Sequence, residues 1–165
     1  MSTKLFKESI IGVEWDYEPE VKFVVGAKSD KLALTKDWEV RIIYKSGSKE
    51  VIIIKKGFRF EGSVPFWVWT ASRVTNTTPE ALPGWCLHDF LYILVKYNVV
   101  DRAEADLCLK FCLQDRFNFV QVNGVYYSVR SFGWMYVRKP ATEAEEKDVF
   151  HILHAVFIED KKYAN

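Results

Sequence analysis

Apolar and polar residues alternate along the first third of the chain with the period of a pleated strand. "WEVRIIY" (38–44) and "EVIIIKKGFRFE" (50–61) show this pattern, and "KSGSK" (45–49) between them is a Gly/Ser turn of hairpin length. "EVKFVVGA" (20–27) and "KLALT" (31–35) are shorter segments of β-rich composition. The pattern predicts an antiparallel sheet. Arg41, Lys55 and Arg59 would face water, and Ile43, Ile52, Ile54 and Phe58 would face inward.

After Pro65 the period changes. "FWVWTASRV" (66–74) reads as a short helix, and "TNTTPEALPG" (75–84) as a loop by its Asn, Thr, Pro and Gly content. A helix is expected from about Gly84 to Tyr97. "DRAE" (101–104) has the form of a capping box and opens a second helix that runs to about Arg116. Residues 120–137, "VQVNGVYYSVRSFGWMYV", stay open: Val, Tyr and Phe favour strand, while the length and poor alternation favour helix. In the helical alternative Gly124 and Gly133 are close-packing points. Pro140 ends that segment, and residues 142–163 read as an amphipathic helix. Strands followed by helices give an α+β fold: an N-terminal antiparallel β-sheet, then an antiparallel helical bundle. One domain is expected over 1–165, strand-rich in 1–65 and helix-rich in 66–165.

Composition narrows the function classes. The chain has 165 residues, 49% hydrophobic and 16% aromatic, which argues for a packed core rather than disorder. Its 23 basic and 22 acidic residues balance to +1, which gives no footprint for nucleic acid. No apolar run approaches the length of a membrane span. Glu8, Glu14 and Asp16 interrupt the N-terminal region, so no signal peptide is expected. Cys86, Cys108 and Cys112 read as buried thiols, with a Cys86–Cys108 bridge between packed helices as the alternative.

Candidate chemistry concentrates in "PGWCLHDFLYILVKYNVVDRAEADLCLKFCLQ" (83–114). His88 and Asp89 flank the apolar stripe of the first helix, and Asp106 lies on the second. The short connection packs the two helices antiparallel. At about 1.5 Å per residue, His88 lies roughly 15 Å from the end of its helix and Asp106 only about 7–8 Å into the next. The two come level if the first helix ends early, near Leu94. An aspartate that accepts the imidazole N–H fixes the tautomer and stabilises the imidazolium, so the other ring nitrogen can deprotonate water. Asp89 is expected to point away from that ring. A hard carboxylate beside a glycine turn suits calcium, and "FEGSVP" (60–65), with Glu61, Gly62, Ser63 and Pro65, is a candidate turn; a plain strand exit is the alternative. His151 and His154 share a helix edge and read as half-buried packing. The aromatic clusters "FWVW" and "VYYSVRSFGWMY" suit either a core or a protein interface.

"FRFEGSVPFWVW", "HDFLY" and "RAEAD", in that order, resemble an uncharacterised family of small bacteriophage and bacterial proteins. That family carries a phenylalanine-led DG-A/S-S-V/I-P segment, an HD-x-LY helix and an AD pair on the next helix. The resemblance spans roughly 57–137, with "SFGW" (131–134) as its late element and Glu61 where aspartate is usual. It implies a phage or prophage home, in the host cytoplasm or the virion, with partners among virion proteins or further copies of the chain. More distantly, the pattern is similar to prokaryotic phospholipases of the A-two type. That similarity implies His88 as general base, Asp106 as its orienting partner, Asp89 with the 61–64 loop as calcium ligands, and Tyr92 in support. A non-catalytic virion, tail or adaptor protein is the other class the sequence admits.

Overall fold

The computed structural model describes residues 5–6, 8–24, 32–61, 74 and 78–138. The strand half contains two three-stranded antiparallel sheets where the alternation predicted one. Strands β1 (Ile10–Glu14), β4 (Trp38–Tyr44) and β5 (Lys49–Ile54) form the first, in the order β1-β4-β5. Strands β2 (Val21–Phe23), β3 (Leu32–Leu34) and β6 (Arg59–Phe60) form the second, in the order β2-β3-β6. The split has a local cause. Gly57, at φ 90°, and the turn around it interrupt the long run 50–61. Its tail then leaves β5 and pairs with β3, Leu32 opposite Phe60.

The hairpin is in the expected place, with Trp38 opposite Ile54 and Ile43 opposite Lys49. One residue of the facing pattern differs. Strand parity puts Trp38, Val40, Ile42 and Tyr44 on the buried face of β4, so Ile43 shares the opposite face with Arg41. Ile43 is half-buried there, beneath Gly12 of β1. Arg41 on the same face is paired rather than free in water, reaching the carboxylates of Glu14, Asp16 and Glu39. Ile52, Ile54 and Phe58 are buried as expected.

A 3-10 turn at Pro79–Ala81 leads into helix α1 (Leu82–Lys96). The helix takes in Pro83 because a first-turn residue needs no N–H partner. It ends in a Schellman motif. Asn98 has φ 58°, its N–H donates to the Val95 carbonyl, and the Val99 N–H reaches back to that of Leu94. Helix α2 (Arg102–Gln114) follows, with the Asp101 N–H donating to the Glu104 carboxylate at 3.0 Å.

The open segment is a helix, α3 (Phe119–Val137). A second capping box starts it: Gln121 N–H donates to Asn118 Oδ1 at 3.0 Å, and Asn118 N–H donates to Gln121 Oε1 at 3.2 Å. Val122, Val125 and Val129 recur at helical spacing and are buried. The expected helices at 66–74 and 142–163, and His151 and His154, lie outside the described residues, apart from a buried Val74.

One core joins the layers. Trp38, Ile42 and Ile54 of the first sheet and Phe60 of the second are buried with Trp85, Phe90 and Leu91 of α1 and Leu109 and Leu113 of α2. Phe58 meets Phe90 edge-on at 5.7 Å. The α1–α2 contact is tight at Gly84, where a Cβ would lie 3.0 Å from Leu109 Cδ1. All three cysteines are buried free thiols, which settles the thiol question against the Cys86–Cys108 bridge.

Candidate active site

His88 and Asp106 meet. His88 Nε2 lies 3.1 Å from Asp106 Oδ1, and both side chains are buried, Asp106 completely. The register difference is not resolved by an early helix end, since α1 continues to Lys96. The chain reverses at Asn98, and Val99–Asp101 returns without helical winding before α2 begins. Measured from these helix ends, His88 lies about 12 Å from Lys96 and Asp106 about 6 Å beyond Arg102. At roughly 3.3 Å per extended residue, two or three such residues take up the difference of about 6 Å.

Asp106 is the centre of a larger network. Tyr92, one helical turn after His88, donates its hydroxyl to the same Oδ1 at 2.5 Å. Arg130 of α3 donates to Oδ2 at 2.9 Å. Arg130 in turn accepts from Arg102 through its backbone carbonyl, at 2.9 Å. The approach of α3 depends on Gly133, three residues beyond Arg130 on the same face. A Cβ there would collide with the Tyr92 hydroxyl and lie 3.0 Å from its Cζ.

These contacts set the charges. Burial pushes the Asp106 carboxyl up, but hydrogen bonds from His88, Tyr92 and Arg130 outweigh it and hold the group below the ordinary carboxylate range. For His88, burial works against the proton, and the bond to Asp106 together with the nearby Asp89 charge outweighs burial, so its pKa is raised. Burial beside the Asp106 carboxylate pushes the Tyr92 phenol far up, so it remains a donor. With Asp106 ionised, His88 donates from Nε2, which makes Nδ1 the lone-pair nitrogen of the neutral ring.

Asp89 does not point away from the ring. Its Oδ1 lies 3.7 Å from His88 Nδ1, an ion-pair distance beyond hydrogen bonding. Its Oδ2 accepts the backbone N–H of Glu61 at 2.8 Å, which ties α1 to the end of β6. The Asp89 side chain is 26% exposed while Asp106 is sealed, so the ring is bracketed by a buried acid and an outward one.

The structure thus brings together His88, Asp106, Tyr92, Asp89 and the backbone of Glu61. Gly62, Ser63 and Pro65 lie outside the described residues. Among the described residues no three His, Cys, Asp or Glu side chains converge as a metal site. Of the expected calcium ligands, Asp89 has one oxygen already accepting the Glu61 backbone N–H, and that ion takes six to eight oxygens.

Sequence reasoning missed Arg130. Reading 120–137 as a helix, from its Asn118/Gln121 cap, puts Arg130 and Gly133 one turn apart on a common face, and that signal would have found it.

The network lies wholly within one stretch of chain, and that stretch matches a known family. The chain belongs to the family described as "Protein of unknown function (DUF1353)", whose model matches residues 37–137. The match runs from β4 to the end of α3 and therefore includes His88, Asp106, Tyr92, Arg130 and Asp89. Membership in an uncharacterised family agrees with the resemblance drawn from the motifs, and the match begins about a hairpin earlier. No curated protein and no solved structure matches the chain. Among the described residues no helix is long and apolar enough to cross a membrane.

Proposed function

We propose that His88 and Asp106 form a hydrolase-type dyad that adds water to a carboxylic ester, with glycerophospholipids as the substrate class. The supporting observation is the division of labour on the imidazole. Nε2 is held by a sealed, ionised Asp106, while Nδ1, itself buried, lies on the side of the partly exposed Asp89 with no hydrogen-bond partner among the described residues. In this reading Nδ1 takes a proton from water as the water oxygen adds to the ester carbonyl. The tetrahedral adduct then collapses, and His88 returns the proton to the departing alkoxide, leaving acid and alcohol. Asp106 orients the ring and stabilises the imidazolium, and Tyr92 and Arg130 keep Asp106 ionised and in place. No step is routed through calcium, which the phospholipase likeness implies and which enters only as a variable of the assay.

The test is hydrolysis of a dispersed phosphatidylcholine and of a soluble short-chain ester by the full chain, with calcium and with chelator. His88→Asn is expected to lower kcat by about a hundredfold to ten-thousandfold. Turnover that survives this change, or folded protein that hydrolyses neither ester, overturns the reading.

A second reading, a non-catalytic phage virion or adaptor protein that assembles through further copies of itself, is favoured by one feature of α3. Val120, Tyr127 and Trp134 repeat every seven residues and are exposed, opposite the buried Val122, Val125 and Val129. In this reading the Asp106 network is a polar lock between three helices.

A further inference from the structure

Two buried ring nitrogens on one face of α1 lack a hydrogen-bond partner among the described residues: Nδ1 of His88 and Nε1 of Trp85. Trp85 is 1% exposed and His88 4%. They are three residues apart in the helix, and their rings cross nearly at right angles with centres 6.0 Å apart. Trp85 is so far assigned to nothing but the core. An indole N–H that is buried without an acceptor loses its hydration with nothing to replace it, and buried indoles ordinarily find a partner. Two such groups on neighbouring rings have a common remedy. An oxygen bonded to both at about 2.9 Å with a near-tetrahedral angle joins nitrogens roughly 4–5 Å apart, a separation open to rings whose centres are 6.0 Å apart.

The chemistry of that oxygen follows from the two nitrogens. Trp85 Nε1 can only donate. In the neutral ring His88 Nδ1 carries the lone pair, because Nε2 donates to the ionised Asp106. The shared oxygen must accept from one and donate to the other, which fits a water or an alcohol hydroxyl and not a carbonyl or carboxylate. Asp89 Oδ1, 3.7 Å from Nδ1, supplies a second acceptor at a separation that a water molecule bridges.

We propose that Trp85 and His88 together bind one water molecule, with the indole N–H donating to its oxygen and one of its hydrogens directed to Nδ1. Its other hydrogen is directed to Asp89 Oδ1. Only the use of this water as the attacking group rests on the hydrolytic reading; its place stands on the two nitrogens. Trp85 then orients the water lone pairs, and His88 receives the proton.

The deciding experiment is a crystal structure of the unaltered full chain, at a resolution that shows ordered water. A solvent peak at about 2.7–3.2 Å from both Trp85 Nε1 and His88 Nδ1 is expected. An indole N–H that donates to a protein group, or a site with no peak touching both nitrogens, overturns the proposal whether or not the protein hydrolyses esters. Trp85→Phe removes the N–H and keeps an aromatic ring. In an active protein it is expected to lower kcat about tenfold with KM little changed, the effect of one hydrogen bond. An unchanged kcat removes Trp85 from the reacting water. If the Phe variant does not fold, or the protein is inactive, the solvent peak alone decides. A bridging peak in an inactive protein keeps this site and discards the esterase reading.

Discussion

Asp106 has no exposed surface, yet three donors on two other helices hold it charged. That arrangement makes stability depend on pH in two windows. The His88 pKa is raised on folding, so its contribution is complete below the unfolded value of about 6.5 and is lost as pH rises through the folded value. The Asp106 pKa is lowered, so its contribution is complete above about 4 and is lost as pH falls through its folded value. The urea midpoint is therefore expected to be highest between about pH 4 and 6.5 and to fall on both sides. In His88→Gln the fall on the alkaline side should shrink while the acid side remains. An alkaline limb identical in the wild type and the variant would contradict the assignment. His88 and Asp106 were legible as a pair from their types and their apolar surroundings. Asp89 was not placed correctly, because a 100° step along a helix separates side-chain directions without fixing how far a carboxylate reaches back.

At the scale of elements, the helices were readable where a cap or a period announced them. "DRAE" announced α2, and Asn98 made a C-terminal stop that needs a positive φ. The segment 120–137 stayed open because its composition favours strand while its length and poor alternation favour helix; it is a helix, opened by the Asn118/Gln121 capping box. Its two glycines make a matched test. Gly124 is exposed with nothing within 4 Å of an added Cβ, so Gly124→Ala should gain up to about 1 kcal/mol from helix propensity. Gly133→Ala must push α3 away from Tyr92 and should cost about 1–3 kcal/mol. Chemical denaturation of both variants measures the difference. Equal effects would mean that α3 does not press on Tyr92. The expectation that both glycines are close-packing points thus holds for Gly133 and not for Gly124.

For the whole molecule, two small sheets and three helices share one core, and the exposed apolar stripe lies on the outer side of α3. If the stripe joins copies of the chain, the mass from sedimentation should rise with concentration. Val120→Glu with Tyr127→Glu should then return it to that of the monomer. Both positions are exposed, 77% and 64%, so the change should leave the fold intact. A mass independent of concentration would remove self-association from the second reading.

Local patterns were enough for the α+β class, the 38–54 hairpin, the first two helices and the candidacy of His88 with Asp106. These follow from periods of 2 and 3.6, from turn and cap chemistry, and from titratable groups set among apolar ones, all readable within a few residues. Pairing across long separations was decided only in three dimensions. Phe60 joined Leu32 rather than extending β5, Ile43 turned to the face of Arg41, and Arg130 reached Asp106 from 24 residues away. The physical reason is that such contacts depend on how whole elements are laid against one another. That packing is chosen by the burial of the entire core, to which no single window of sequence has access.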